Sequence, residues 1–210
     1  GKNAEKFLRL LSPIQNYGHL IGNHTYHHPN LVRHLSLNGD VIEQITRTES
    51  LIRNNITGNT IYFRPPYLQW SPEVAETLNG SLIATLSHVG PIHADLDTHD
   101  WAFWRDDKQP NECVESFLNT VGQKKRGIVL MHDSVSDIAV NKQKWMTFQL
   151  TEILVPRLLD MGYRFVRLDE IPAIIAATKI PLVCGLRGSN GRYISPQRGG
   201  GGKILVNGPE

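Results

Sequence analysis

The stretch "TIYFRPPYLQWSPEVAETLNG", residues 60–80, holds a complete structural unit in miniature. Thr60 to Arg64 is rich in β-branched and aromatic residues, which suit a pleated, half-buried strand. Pro65 and Pro66 then remove two backbone donors and stop it. Ser71 is a good helix N-cap and Pro72 suits the first helical position, so a helix follows. Strand, rigid turn and helix in succession are the repeating unit of an α/β fold.

The same alternation extends in both directions. Upstream, "HLIGNHT" (19–25) is expected to be a short strand running into a loop. "SLNGDVIEQITRTESLIRNN" (36–55) is expected to be a helix, with Val41, Ile42, Ile45, Thr48, Leu51 and Ile52 at helical spacing. Downstream, "SLIATLSHV" (81–89) and "HADLDT" (93–98) are strand-like. "NECVESFLNTVGQ" (111–123) is helical with Asn111 as its cap. "RGIVLMHD" (126–133) is an apolar strand ending in polar residues. "WMTFQLTEILVPRLLDMGY" (145–163) is a helix that Pro156 should bend, and "RFVRLDEI" (164–171) is the last strand. This order predicts a parallel sheet, open or closed into a barrel, with functional residues on loops at the carboxyl ends of the strands. Polar clusters fall at four such ends: His24 to His28, Arg64 to Tyr67, Asp97 to Trp101, and His132-Asp133.

Composition excludes several classes. Of 210 residues, 40% are hydrophobic and 20% charged, ordinary for a globular protein, and the net charge is only +2. No general electrostatic drive toward nucleic acid or an anionic membrane exists at that charge. No apolar run reaches the roughly 18 residues of a membrane span, and "GKNAEKFLRLLSP" is too polar for a signal peptide. Two cysteines, Cys113 and Cys184, cannot make a thiolate metal site. They could pair, but two buried thiols are the expectation. After Thr178 the residues change character. Short alternating segments, a Ser-Asn-Gly turn and four consecutive glycines suggest a domain over 1–178 and the start of a β-hairpin module over 179–210, with a flexible tail an equal alternative for the last residues.

Each cluster carries a chemical possibility beside a plain one. His24 and His28 lie four apart, so one turn aims two imidazoles at a common point, as borderline metals require. His27 should point away. A lone His pair also suits a surface loop. In "RPPY", the amide of Tyr67 is the first donor after two prolines, placed to meet a developing oxyanion, and Arg64 offers a planar fork to a carboxylate. Asp97 and Asp100 could orient a histidine or pair with Arg64. Trp101 could wall a sugar groove or fill a core. His132, after a buried strand, suits a general acid, with Leu130 lining an apolar pocket beside it.

Taken in order, H-[ST]-x-x-H, R-x-P-Y, D-x-x-D-W and L-x-H resemble the polysaccharide deacetylases of the NodB-homology type, carbohydrate esterase family 4, over roughly residues 1–175. The resemblance implies an α/β fold, a distorted (β/α)7 barrel, and hydrolysis of N-acetyl or O-acetyl groups on chitin, peptidoglycan or acetylxylan. It implies a divalent metal, Zn2+ foremost with Co2+ also suitable, held by an Asp-His-His set. His24 and His28 resemble its histidine ligands. Arg64 resembles the arginine beside the catalytic base, Tyr67 the oxyanion amide, and Trp101 the groove tryptophan. Asp97 resembles the carboxylate tuning the acid, His132 that acid, and Leu130 the acetyl contact. A monomeric, secreted, cell-surface or periplasmic protein without membrane span or nucleic-acid partner is implied, and residues 179–210 resemble the opening of a fascin-like β-trefoil.

The family's first motif, T-F-D-D-G-P, is absent. It carries the base and the third ligand, and neither Asp106-Asp107 nor Asp133 is placed to replace it. The expectation is a chain without its first barrel strand, inactive as it stands. Two alternatives remain: a non-catalytic sugar-binding protein on an inactive barrel, and an amide hydrolase for small molecules.

Overall fold

A computed structural model describes residues 1–56, 58–81, 87–133 and 146–178. Along the chain run helices α1 (Lys2–Lys6), α2 (Leu11–Asn16), α3 (Leu31–Ser36) and α4 (Val41–Ile52), strand β1 (Thr60–Tyr62), helix α5 (Pro72–Ser81) and strands β2 (Ser87–Val89) and β3 (Leu96–Asp97). They are followed by α6 (Asp100–Arg105), α7 (Pro110–Lys124), β4 (Val129–Leu130), α8 (Met146–Asp160) and α9 (Pro172–Thr178). The described residues divide into two compact units, those within 1–92 with 166–178, and those within 93–165.

In the first unit β1 and β2 pair in parallel, with Ile61 opposite His88, and an isolated parallel bridge joins Asn23 to Phe63. Backbones approach closely here. A side chain on Gly22 would meet the Tyr62 carbonyl at 2.6 Å, and one on Gly90 the Phe63 carbonyl at 2.5 Å, so both flanking positions admit only glycine. Leu31, Val41, Ile45, Phe63, Val74 and Leu78 form one core cluster, and Leu11, Ile52 and Ile61 another. Ser71 caps α5 as expected, its Oγ accepting from the Val74 amide at 3.4 Å.

In the second unit β3 and β4 pair in parallel, placing Asp97 opposite Leu130. Leu96, Trp104, Phe117, Val114, Val121, Leu150, Leu154 and Leu158 close the core between this pair, α7 and α8. Cys113 sits fully buried in that core with no disulfide partner among the described residues, and burial, with the Asp100 charge adding, pushes its pKa up to about 12. A thiol so protonated and enclosed is inert. Cys113 should resist a thiol reagent for hours in the native protein and react at once in denaturant. Reaction at native rates comparable to the denatured state would contradict this burial.

Some expected boundaries move. The cap of α7 is Gln109, not Asn111: Gln109 and Glu112 form a reciprocal capping box around Pro110. Asp40 caps α4, which therefore starts at Val41 rather than Ser36, and Leu31–Ser36 is a separate helix capped by Asn30. Helix α8 runs through Pro156. Residues 163–167 are irregular and Leu168–Glu170 forms a 3-10 turn in place of the expected last strand. Arg167, with its ion pair to Asp169 at 2.6 Å and its bond to the Gly18 carbonyl at 3.0 Å, ties this segment down without a ladder. The proposed β module at 179–210, Cys184 with any pairing to Cys113, and residues 82–86 lie outside the described residues.

Candidate active site

In the first unit the loop after Asn23 and the turn after β1 meet. The His24 Nδ1–H donates to the Arg64 carbonyl at 2.6 Å, which fixes its tautomer and leaves Nε2 as a bare lone pair. The His24 and His28 ring centroids lie 4.9 Å apart, and the Tyr67 ring stands 4.9 Å from that of His28. So His24, His28, Arg64 and Tyr67 are brought together. His27 turns away, as expected, its amide donating to Gln44 Oε1 at 2.8 Å and its ring Nδ1 contacting Gln44 Nε2 at 3.2 Å.

Backbone strain concentrates at this spot. Thr25, His28, Tyr67 and Leu68 all take left-handed φ, between 53° and 68°, though none is glycine. Each such residue costs about 1–3 kcal/mol and persists only where its surroundings over-determine it. Thr25 is held by its amide bond to Asn23 Oδ1 at 3.0 Å, and its own Oγ1 accepts from the His28 amide at 3.1 Å. Tyr67 is half out in solvent, and among the described residues nothing accepts from its amide. A groove of about 470 Å3, lined by Pro29, Asn30, Arg33, His34, Leu37 and Tyr67, opens beside it.

Electrostatics favour neutral imidazole. Desolvation, opposed by the Arg64 carbonyl bond and aided by the His28, Arg64 and N-terminal charges, pushes the His24 pKa down to about 4, although the residue as a whole is exposed. Desolvation also lowers the Arg64 guanidinium below its ordinary value, and its Nε donates to the Ile92 carbonyl at 3.1 Å. Among the described residues no carboxylate forms an ion pair with Arg64.

Two imidazoles, one locked with its outer nitrogen free by a carbonyl on the inner one, fit the donor chemistry of a zinc-like cation. They fill two positions only: among the described residues no third His, Cys, Asp or Glu joins them.

In the second unit the hydrogen-bond partner of His132 is Asp100, while Asp97 reaches it through charge alone. Asp100, wholly buried at the start of α6, accepts from the His132 ring Nδ1–H at 2.6 Å and from the His132 amide at 2.7 Å. That hydrogen bond, against an opposing desolvation and with the Asp100, Asp97 and Asp133 charges added, raises the His132 pKa. Asp97 instead accepts from the His99 amide at 2.8 Å and acts on His132 only through its charge. Thr147 completes the clamp, donating to the His132 carbonyl at 2.6 Å and accepting from Trp104 Nε1 at 3.2 Å. Leu130 lies on β4 two residues before His132, and Trp101 is half-buried with the Arg105 guanidinium 5.3 Å from its ring.

Sequence reasoning missed Asn23 and Thr147 and gave Asp100 only a shared possibility. The start of a helix at Asp100 was the one signal available for the last. Asn23-His24-Thr25 has the form of a glycosylation sequon. Its asparagine is buried and bonded on both amide atoms, which removes it from that role.

Each unit thus carries parallel strands, helices and a histidine cluster on its own loops. Residues 1–81 match the polysaccharide deacetylase family model. A peptidoglycan-N-acetylglucosamine deacetylase of Bacillus cereus is 33% identical over 174 residues, 81% of this chain and 55% of that protein. Chitin deacetylase 1 of Saccharomyces cerevisiae is 33% identical over 63% of this chain and 42% of its own length. The peptidoglycan deacetylase PdaC from Bacillus subtilis superposes with a TM-score of 0.59 at 20% identity, over 84% of this chain and 74% of that one, a likeness of fold. The chain thus spans about half the length of the curated relatives it matches. The chain is thus similar in sequence to polysaccharide deacetylases and shares an α/β fold with its structural neighbours.

Proposed function

We propose that this domain hydrolyses acetyl groups from a polysaccharide, foremost the N-acetyl groups of N-acetylglucosamine units in peptidoglycan or chitin, and releases acetate. The observation that carries this is the His24 ring, tied through Nδ1 to the Arg64 carbonyl beside His28 and the strained Tyr67 turn.

In this reading His24 and His28 hold a divalent cation, Zn2+ or Co2+. When bound, it would polarise a water molecule and the acetyl carbonyl. The remaining work belongs to the chain. Water adds to the carbonyl carbon, giving its proton to the base that Arg64 orients, and the Tyr67 amide donates to the oxygen that gains negative charge. The carbon–nitrogen bond then breaks, and His132 Nε2 delivers a proton to the departing amine, with Asp100 holding the ring and supporting its charge. Leu130 lines the acetyl methyl, and Trp101 stacks on a sugar face. Arg64 orients the base. That base, the third ligand and the first barrel strand stand N-terminal to His24 in the family pattern, so the protein's sequence upstream of Gly1 tests this part directly. An upstream strand without carboxylates would favour the sugar-binding alternative, which the lack of a third ligand among the described residues also suits. A wall polymer as substrate places the protein outside the cell or in the periplasm, and residues 179–210 would begin a carbohydrate-binding module.

The decisive measurement is acetate release by metal-loaded full-length protein from peptidoglycan, chitin oligomers and acetylxylan. Release from an N-acetylglucosamine polymer is expected. Folded, metal-loaded protein that frees acetate from none of the three would reject the assignment. Asp100→Asn tests the acid. A raised pKa keeps His132 protonated, hence competent as a donor, to higher pH, and activity falls as pH rises through that value. Removing the Asp100 charge lowers the pKa, so the basic limb should move to lower pH. A limb that stays in place would separate Asp100 from the acid.

A further inference from the structure

Behind the His24 loop, in the same unit, lies a buried polar chain that the reaction does not use. Asn23, 1% exposed, donates through Nδ2 to the Ile45 carbonyl at 3.0 Å and contacts His88 Nε2 at 3.2 Å, while its Oδ1 accepts from the Thr25 amide. With Ile45 an obligate acceptor and Thr25 an obligate donor, the amide of Asn23 has only one orientation. Its second Nδ2 proton therefore points at His88 Nε2, which must be the bare nitrogen, so the His88 proton sits on Nδ1. That atom is buried without a hydrogen bond and faces the Glu49 carboxylate at 3.9 Å. Glu49 is itself 3% exposed and is gripped by Arg53 at 2.6 Å. A buried carboxylate on this side favours a proton on the nearer nitrogen.

The main chain of Asn23 is the other half of the device. Its carbonyl accepts from the Arg64 amide at 3.1 Å and its amide donates to the Tyr62 carbonyl at 2.8 Å. Arg64 in turn accepts from His24 Nδ1. Residues 23, 24 and 64 thus close a ring of hydrogen bonds, and the Asn23 side chain anchors that ring to α4 and β2.

We propose that Glu49, His88 and Asn23 form a buried positioning relay that aims His24 Nε2 and orders the Thr25 turn, with neutral His88 protonated on Nδ1 as its fixed element. This rests on the assignment of His24 as a ligand. The relay touches neither metal nor substrate; it acts through His24. Outer partners of this kind are worth about 10–100-fold in metal affinity or activity.

Two measurements on the full-length protein test it. Long-range 1H–15N NMR of the wild type should show His88 with its proton on Nδ1 and a bare Nε2; a proton on Nε2 overturns the relay. Cobalt binding, read by competition with a chromophoric chelator and by the visible Co2+ spectrum, is then compared in the wild type, His88→Leu and His88→Gln. His88→Leu, which cannot accept from Asn23, should weaken Co2+ binding about tenfold and alter the spectrum, with kcat falling more than KM rises. His88→Gln keeps an acceptor and should restore most of the loss. Equal behaviour of the two variants, or wild-type affinity and spectrum in His88→Leu, overturns the relay while leaving the ligand assignment standing. A wild-type protein that binds no Co2+ removes the ligand assignment and the relay together.

Discussion

If the proposed deacetylation is right, replacing His132 by alanine should lower the turnover of the full-length protein by about 100- to 10,000-fold, the range a positioned general acid supplies, with metal affinity changed less than about twofold. The expectation comes from where the ring is held. Its Nδ1 is committed to the buried Asp100, so Nε2 is the position left to give a proton. Asp100 also grips the His132 amide, and Thr147 the His132 carbonyl, so the backbone around the deleted ring stays in place. Loss of the ring therefore removes a proton donor without unravelling the strand end. Restoring a basic side chain should not suffice: His132→Lys carries a charge but lacks the planar ring that Asp100 orients. Steady-state kinetics beside a cobalt titration separate the outcomes. If turnover and metal affinity fall together, His132 belongs to the cation's surroundings and its assignment as the acid is wrong.

How far this was legible in the sequence depends on how local the cause is. Strand β1, its Pro-Pro stop and the Ser71-Pro72 start of α5 follow from residues that act on their own backbone, and they stand as expected. Short helices were harder. Leu31–Ser36 is only six residues long and rests on a single cap from Asn30, too little for a periodic signal. Alternating "RFVRLDEI" looked like a strand, but period-two hydrophobicity describes a half-buried surface and not the presence of a partner strand. There Phe165 and Val166 are exposed.

The site divides in the same way. His24, His28, Arg64 and Tyr67 were legible because turns deliver them, and turns are written in local sequence. The choice between Asp97 and Asp100 was not. Asp97 ends β3 and Asp100 follows three residues on, and the start of α6 turns the second carboxylate inward to meet His132. Asn23, His88 and Glu49 come from three separate elements and meet only in the folded unit. No spacing rule couples them, although each is a polar residue at a position that reads as core once the neighbouring strands are placed.

Removing the cation should abolish acetate release, and adding back zinc or cobalt should restore it. His24→Ala and His28→Ala should each weaken Co2+ binding by at least about 100-fold, more than the loss typical of an outer partner, and reduce activity to background. His27→Ala is the control that gives these results meaning. It removes an imidazole from the same loop, one residue from His28, but a ring already turned onto Gln44. Its Co2+ affinity should stay within about threefold of the wild type, because a ring turned onto Gln44 does not face the ion. His24→Ala further breaks the bond to the Arg64 carbonyl, so it should disturb the Arg64–Tyr67 turn as well as the ion, whereas His28→Ala should spare that turn. The two losses are therefore separable: added metal at high concentration should recover part of the activity of His28→Ala and less of His24→Ala. Three alanine variants with the same modest effect would mean that the loop binds no ion through defined rings. The affinity of Tyr67 and Arg64 for this corner of the fold would then need another cause.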